Sequence, residues 1–240
     1  MAERVLDDCK FWYGGYDLSG DMNAMTLRLA AELQDTTRFG NATRTRLGGL
    51  KAILANAEGL WNGGDAAVDD VLFDNLATKQ PVTISPTTGA DGEPAFAFQA
   101  VTGNYEAGAA VGEILPFSVE AESDDSDLVR GTIMHNATRS SSSDGTARQL
   151  GAVSAVQRLF ASLHVVAITG SPTLDVIVES DAADDFSGSE TTRITFAQAT
   201  GVGAEWATPV AGAITDDWFR VGFTKGGTGT ITFIVFIGIL

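Results

Sequence analysis

Alternation of apolar and polar residues dominates the chain and predicts a protein made mainly of β-strands. Met25, Leu27 and Leu29 alternate with polar or small residues, as in a strand with one buried face. Segments of similar character predict strands at 50–57, 82–85, 96–102, 114–122, 128–134, 158–168, 174–180, 192–197, 219–224 and 230–239. Short strands separated by turns in this way are typical of antiparallel sandwiches and barrels.

One segment has helical periodicity instead. Val68, Val71, Leu72 and Leu76 fall on one face of a helix predicted over residues 65–76. Asp65 follows two glycines and is the expected N-cap. The sequence therefore predicts a single helix beside the strands.

The last predicted strand is apolar on both faces. Ile231, Phe233, Val235 and Ile237 occupy one face, and Ile234, Phe236 and Ile239 the other. A strand of this composition is buried on both sides. We therefore expect it at the centre of a sheet or beneath a neighbouring element.

Residues 138–145, with the sequence TRSSSSDG, form the best candidate linker because they contain no apolar side chain. This predicts a first β-sandwich domain over residues 1–137 with the helix at 65–76. A second β-rich part covers residues 146–240.

Composition limits the classes of function. The chain is 44% hydrophobic and only 19% charged, which suits a protein that buries surface against its own copies. A net charge of −16 disfavours binding of nucleic acid by charge neutralisation. The acidity fits either a channel that repels phosphate or an ordinary solvated surface. The first ten residues, MAERVLDDCK, lack the apolar region of a signal peptide, so we expect assembly in a cytoplasm.

No motif predicts catalysis, a cofactor or a metal site. His164 lies inside the apolar strand Leu163–Val165, which favours a structural or surface role over catalysis, and His135 lies at a strand end before the linker. The acidic clusters lack the spacing of a calcium loop and are interpreted as turns; they comprise Asp124, Asp125 and Asp127, and Asp181, Asp184 and Asp185. A carbohydrate hydrolase would need two opposed carboxylates in a cleft, whereas the acids of this chain cluster in turns.

Several short motifs follow one another between residues 11 and 134. They are YDLSG at 16–20, DTTRFG at 35–40, GL at 49–50, GLW at 59–61, AVGE at 110–113 and LVRGT at 128–132. In this order they resemble the tail tube proteins of long-tailed phages.

The resemblance implies a β-sandwich flanked by a helix, in subunits that form hexameric rings. In such rings the inner strands join into one barrel, the rings stack, and a long loop reaches the neighbouring ring. Residues 146–240 would then be either a surface-decorating immunoglobulin-like domain or a second tube-type domain. The second alternative implies trimers with pseudo-six-fold symmetry.

The same resemblance suggests site residues. The basic segment 35–49 is the expected inter-ring loop, and the candidate contacts in and beside it are Arg38, Arg44, Arg46 and Lys51. The candidate channel-lining residues are Glu113, Glu120 and Glu122. Glu120 and Glu122 share one face of a strand because side chains alternate with a period of two. Facing bulk solvent on the outside is the competing interpretation for these glutamates.

The sequence thus predicts a structural virion protein that forms a tail tube through which DNA passes without specific binding. Its expected partners are its own copies and other tail proteins at the tube ends, with no membrane. The alternative is a capsid-decorating or tail-fibre-type β module that attaches to a virion without making a conduit.

Overall fold

The computed structural model describes residue 6, residues 8–188 and residues 190–240. Strands make up 60% of the chain and helices 4%, which confirms the predicted mainly β, antiparallel fold. The N-terminal segment in which no signal peptide is expected lies partly outside the described residues. Within them, no helix has the length and apolar character needed to cross a bilayer.

The elements follow one another in a simple order. The strands are β1 Lys10–Tyr13, β2 Tyr16–Asp17, β3 Met22–Asp35, β4 Arg46–Leu60, β5 Lys79–Ser85, β6 Pro94–Ala107, β7 Pro116–Ser123, β8 Val129–Arg139, β9 Ser143–Asp144, β10 Arg148–Gln149, β11 Arg158–Asp181, β12 Thr191–Thr195, β13 Gly203–Trp206, β14 Val210–Ala211 and β15 Trp218–Ile239. A 3₁₀ turn covers Ser19–Asp21, and the helix α1 covers Val68–Asp74.

Strand β6 is the junction of the N-terminal half. Its first half pairs with β5 and β8, and its second half pairs with β7, which continues through β4 to β3. The two resulting layers enclose one apolar core, whose largest members are Phe11, Tyr13, Phe98 and Phe117. Apolar side chains at every second position of β4 and β7 fill this core, as the alternating pattern predicts.

A long antiparallel ribbon of β11 and β15 forms the C-terminal half. Gly170 lies opposite Gly229 at its middle, where the backbone is exposed. Leu163 and Val176, on either side of this point, belong to the same buried cluster. The ribbon therefore bends at the glycines and closes over its own core.

Strand β15 is buried on both faces, which confirms the prediction for the last apolar segment. It pairs with β11 on one side and with β8 on the other. Phe233 and Val235 point into the ribbon core, whereas Ile234 and Phe236 belong to a second cluster that includes Trp12. The last segment of β15 is apolar on both faces because it lies between two cores.

The helix is shorter than the predicted range of 65–76. It begins after Ala67, which has extended backbone geometry and provides no side-chain cap, and it ends before Asn75. The prediction of Asp65 as N-cap is therefore wrong. Val68, Val71 and Leu72 are nevertheless buried on one face, as predicted.

The predicted linker 138–145 runs beside the ribbon. Thr138 and Arg139 end β8, and Ser143 pairs with Phe223 of β15. The division of the chain into a part before this segment and a part after it stays a prediction.

Candidate assembly surfaces

Strands β3, β4, β7 and β6 form a four-stranded antiparallel sheet with two different faces. One face carries the core residues Ile53, Ala55, Ala57, Val119 and Ala121. The other carries the intervening residues, most of which are polar, and these are half-buried or exposed. This second face is called the outer face below.

The outer face is acidic. Glu58 and Glu106 both lie opposite Ser118, while Glu120 lies opposite Asn56 and Asn104. Glu122 is two residues from Glu120 on the same strand. The paired stretches 54–60, 101–107 and 116–123 contain no Lys or Arg, but Arg28 of β3 lies on the same face, opposite Leu54, which in turn lies opposite Glu122. The glutamates repel one another, and Arg28 offsets part of that repulsion beside Glu122.

Two of the predicted channel residues, Glu120 and Glu122, therefore lie together on this face. Glu113 lies apart, in the exposed loop between β6 and β7. The sequence pattern did not identify Glu58 and Glu106, because alternation within one strand does not show which residues of the next strand lie opposite it. Glu58, Glu106, Glu120 and Glu122 share no sequence motif.

The sheet has unpaired edges on both sides. Among the described residues, β3 pairs only with β4, which leaves the other side of its 14 residues without a paired strand. Leu6, Asp8 and Cys9 lie beside the first residues of β3. From Gly103 to Ala107, β6 pairs only with β7. An open edge presents a row of backbone donors and acceptors that a further strand can satisfy.

Beyond the sheet, β3 and β4 continue as a two-stranded arm, defined here as residues 31–52. Every residue of the arm is exposed. The sheet ends where the backbone N–H of Ile53 donates to Ser123 Oγ, at 3.1 Å. The predicted loop over 35–49 is therefore wrong in its bounds, because only residues 36–45 form the turn of a long hairpin.

The tip of the arm has local hydrogen bonds of its own. The N–H of Thr37 donates to Asp35 Oδ1 at 2.9 Å, and the N–H of Thr36 donates to the carbonyl of Thr45 at 2.9 Å. The bonds from Thr37 hold the pKa of Asp35 below its usual value. These contacts close the hairpin without help from the rest of the molecule.

The arm combines positive charge with exposed apolar side chains. It contains the four predicted contact residues Arg38, Arg44, Arg46 and Lys51 and only two acids, Glu32 and Asp35, so its net charge is 4 − 2 = +2 in a chain of −16. Arg38 and Arg44 lie in the tip, whereas Arg46 and Lys51 lie on β4. The side chains of Leu33, Phe39, Leu47 and Leu50 are all exposed.

The opposite end of the sheet has a contrasting surface. It is called the end surface below and consists of residues 60–78 and 106–115. Trp61 N–H donates to the carbonyl of Leu115 at 2.9 Å, and Tyr105 Oη donates to Asp69 Oδ1 at 2.6 Å. These bonds fix α1 and the β6–β7 loop at the end of the sheet farthest from the arm.

Both histidines are buried. His164 is completely buried, and its Nδ1 lies 2.7 Å from the carbonyl oxygen of Gly14. His135 stacks on Phe233 with ring centroids 4.3 Å apart. Burial lowers the pKa of each to about 4. Within the described ranges, no three His, Cys, Asp or Glu side chains are grouped to hold a metal ion.

Comparison with known proteins gives structural likenesses only. No family model matches the chain, and no curated protein matches it. It is similar to the SPP1 Dit protein, described as a hub adsorption apparatus of phages that infect Gram-positive bacteria, with 12% identity and a TM-score of 0.39 over 97% of this chain and 99% of that one. It is also similar to the SPP1 tail tube, with 12% identity and a TM-score of 0.41 over 50% of this chain and 76% of that one.

A third similar structure is the tail of an empty gene transfer agent particle, with 15% identity and a TM-score of 0.38 over 53% of this chain and 97% of that one. The descriptions of the three structures are of a hub adsorption apparatus, a tail tube and a tail. Because each TM-score is below 0.5, the function proposed next rests on the surfaces of this chain alone.

Proposed function

We propose that this chain is a structural virion protein that assembles into stacked rings and forms a phage tail tube. The observation that carries the proposal is the four-stranded sheet with an open edge on each side and a face on which acids outnumber bases. An open edge of 14 residues favours unwanted association of a monomer, whereas in an oligomer it can form an interface. The open side of β3 would pair with the open end of β6 in the next subunit.

The strand count supports closure of such a ring. Because four antiparallel strands alternate in direction, β3 and β6 run in opposite directions. A rotation therefore brings β6 of one copy antiparallel to β3 of the next at every junction. Six copies would give about 24 strands, which at about 4.8 Å per strand make a barrel about 37 Å across. Barrels of about 16–18 strands already hold an aqueous channel.

Charge supports placing the outer face toward the channel. Glu58, Glu106, Glu120 and Glu122 would form a negative band repeated around the ring. Such a band repels the DNA backbone, so that DNA passes without being held. Glu113, in the β6–β7 loop, would lie at the rim of the channel.

The arm supports stacking. The stretch of β4 in the arm, residues 46–52, is as long as the stretch 54–60 that pairs with β7, about 23 Å at 3.3 Å per residue. The arm thus extends about one sheet height beyond the sheet. Arg38, Arg44, Arg46 and Lys51 would meet the neighbouring ring.

Residues 146–240 would lie outside the ring, and assembly would occur in the host cytoplasm before incorporation into the virion tail. Other tail proteins would cover the two tube ends. The protein would act without a cofactor and without catalysis. The ring would contain six copies if residues 146–240 form a surface-decorating domain. It would contain three copies with pseudo-six-fold symmetry if they form a second tube-type domain.

Electron microscopy of the purified protein at increasing concentration tests the proposal. We expect rings or tubes with a central channel, and at higher resolution Glu58, Glu120 and Glu122 facing that channel. Compact monomers or trimers at every concentration would contradict the proposal and favour the capsid-decorating or tail-fibre-type module. Tubes with these glutamates on the outside would contradict the channel assignment alone.

A further inference from the structure

A cleft of about 660 Å³ lies between the β7–β8 turn and the start of β11. Its walls come from both halves of the chain, and its main polar and aromatic residues are Gln99, Asp125, Asp127, Arg158, Phe160 and Trp206. Ligand sites in proteins are typically clefts of about 300 to 1,000 Å³ with aromatic walls and a few polar groups. The cleft shares no residue with the arm or with the end surface, and it is therefore a separate candidate site.

Two aromatic rings form the wall on the C-terminal side. Phe160 of β11 and Trp206 of β13 lie on the same face of the sheet, because Trp206 pairs with Ser162 and side chains alternate along a strand. Their ring centroids are 6.1 Å apart, and the rings are tilted by 52°. Both side chains are half-buried. Contact with Phe160 therefore orients the indole ring and leaves part of it facing the cleft.

The opposite wall is held in place by hydrogen bonds to the backbone of β6. The N–H of Gln99 donates to Ser126 Oγ at 3.0 Å, and the N–H of Asp124 donates to the carbonyl of Gln99 at 3.1 Å. Gln99 shares a face of β6 with Ala97, a member of the apolar cluster against which both aromatic rings pack. The turn and its aspartates are thus fixed across the cleft from the rings.

In the described part of the chain, the polar side chains of the cleft have no partner. No hydrogen bond or ion pair involves the side chains of Gln99, Asp125, Asp127 and Arg158, or the indole N–H of Trp206. The two acids and the guanidinium thus line one cleft without pairing with each other. Carboxylates accept hydrogen bonds, a guanidinium donates them and an amide does both, so a ligand with both kinds of group could satisfy all of them.

This combination fits a neutral saccharide better than other ligands. One face of a sugar ring is apolar and packs against an aromatic ring, while its hydroxyl groups both donate and accept hydrogen bonds. A purely apolar ligand would remove water from the polar side chains without replacing its hydrogen bonds. An anionic ligand would meet two carboxylates and one guanidinium in a chain of net charge −16. A simple cation would leave the guanidinium of Arg158 without an acceptor.

We propose that this cleft binds a neutral oligosaccharide, which stacks on Trp206 and forms hydrogen bonds with Arg158, Gln99 and the two aspartates. The inference goes beyond the proposed function and does not depend on it, because the whole cleft lies within one chain. In the proposed ring, residues 146–240 would lie outside, so the cleft would stay accessible on the outer wall of the tube.

Binding of the wild-type protein to an array of neutral, acidic and basic oligosaccharides tests the class of ligand. We expect binding to neutral members, with an affinity that changes less than about twofold between about 50 and about 500 mM NaCl, since a neutral ligand has no charge for salt to screen. Selective binding of acidic or basic oligosaccharides would overturn the inference, and so would absence of binding to every neutral one.

Variants of the cleft test where the saccharide binds. Arg158→Ala removes an exposed guanidinium that has no partner in the described structure, so the fold should persist. By calorimetry, affinity for the bound saccharide should fall at least about tenfold. Trp206→Ala should abolish measurable binding, whereas Trp206→Phe keeps a ring and should retain part of it. Arg44→Ala is the matched control, since it removes the same charge at the tip of the arm, and it should bind like wild type.

Circular dichroism checks the folding of each variant. If Trp206→Ala does not fold because contact with Phe160 is lost, Arg158→Ala decides the outcome. Unchanged affinity in Arg158→Ala would place the saccharide elsewhere and overturn the assignment. None of these results depends on tube formation, which electron microscopy of the same proteins reports separately.

Discussion

His164 Nε2 lies 2.8 Å from Thr83 Oγ1, and this buried hydrogen bond joins the C-terminal ribbon to the N-terminal half. The other ring nitrogen contacts the carbonyl of Gly14, so both nitrogens of the imidazole have partners. The ring is held neutral because burial outweighs the effect of that carbonyl on its pKa.

Acid should therefore weaken the fold through His164. Its pKa is lowered from about 6.5 when unfolded to about 4 when folded. The unfolded state binds the proton more readily, so stability is lost as pH falls from 6.5 toward 4, by up to about 3 kcal/mol. Urea unfolding at pH 7.5, 6.0 and 5.0 measures this slope.

The matched variant for that measurement is His164→Gln, which keeps hydrogen-bonding groups but does not titrate. It should be less stable at pH 7.5 and should lose less stability than wild type on acidification. Carboxylates and His135 titrate equally in both proteins and cancel in the comparison. Identical slopes would show that His164 does not control the acid response.

Gly229→Ala should destabilise the ribbon. Gly229 has a φ of 90°, and a Cβ at this position would lie 1.8 Å from the carbonyl oxygen of Thr169. The strained backbone and the clash together should cost at least about 2 kcal/mol in unfolding free energy. Gly201→Ala, which adds a Cβ in open space, is the control and should change stability little. Equal unfolding midpoints for both variants would contradict the proposed bend.

Shortening the arm should separate ring formation from stacking. Replacing residues 32–50 by an Asn-Gly turn connects Ala31 to Lys51, which already face each other across the two strands. Because the arm makes no contact with the core, the unfolding free energy should stay within about 0.5 kcal/mol of wild type. Electron microscopy should show rings without tubes. Normal tubes from this variant would mean that the arm is dispensable for stacking.

Glu120→Lys/Glu122→Lys should convert the channel from repelling DNA to retaining it. The change removes two negative and adds two positive charges per copy, which raises the net charge by four, and phosphate binding should rise accordingly around each ring. Co-sedimentation of tubes with short DNA duplexes at low salt measures retention. Asp184→Lys/Asp185→Lys makes the same change in charge on the C-terminal half and should retain less DNA. Equal retention by both variants would place Glu120 and Glu122 outside the channel.

The sequence predicted most strands and the central position of β15, because alternation and two-sided apolar character depend only on neighbours along the chain. It did not predict the arm. Residues 35–49 are polar and glycine-containing, which favours a loop, yet cross-strand pairing extends β3 to Asp35 and begins β4 at Arg46. The acidic outer face was predicted in part, since Glu120 and Glu122 share a strand while Glu58 and Glu106 reach it only through the sheet register.

The central position of β15 also sets an order of events during synthesis. Its two partners, β8 and β11, are translated earlier, and each lacks its pairing with β15 until residues 218–239 emerge. Until then, the open sides of β8 and β11 and the apolar residues around them are exposed, the kind of surface that leads nascent chains to aggregate. The edge strand β3 is complete long before. Strand β3 therefore emerges from the ribosome, able to pair with other chains, well before the rest of the subunit has been made. This topology carries a risk of premature association between nascent chains.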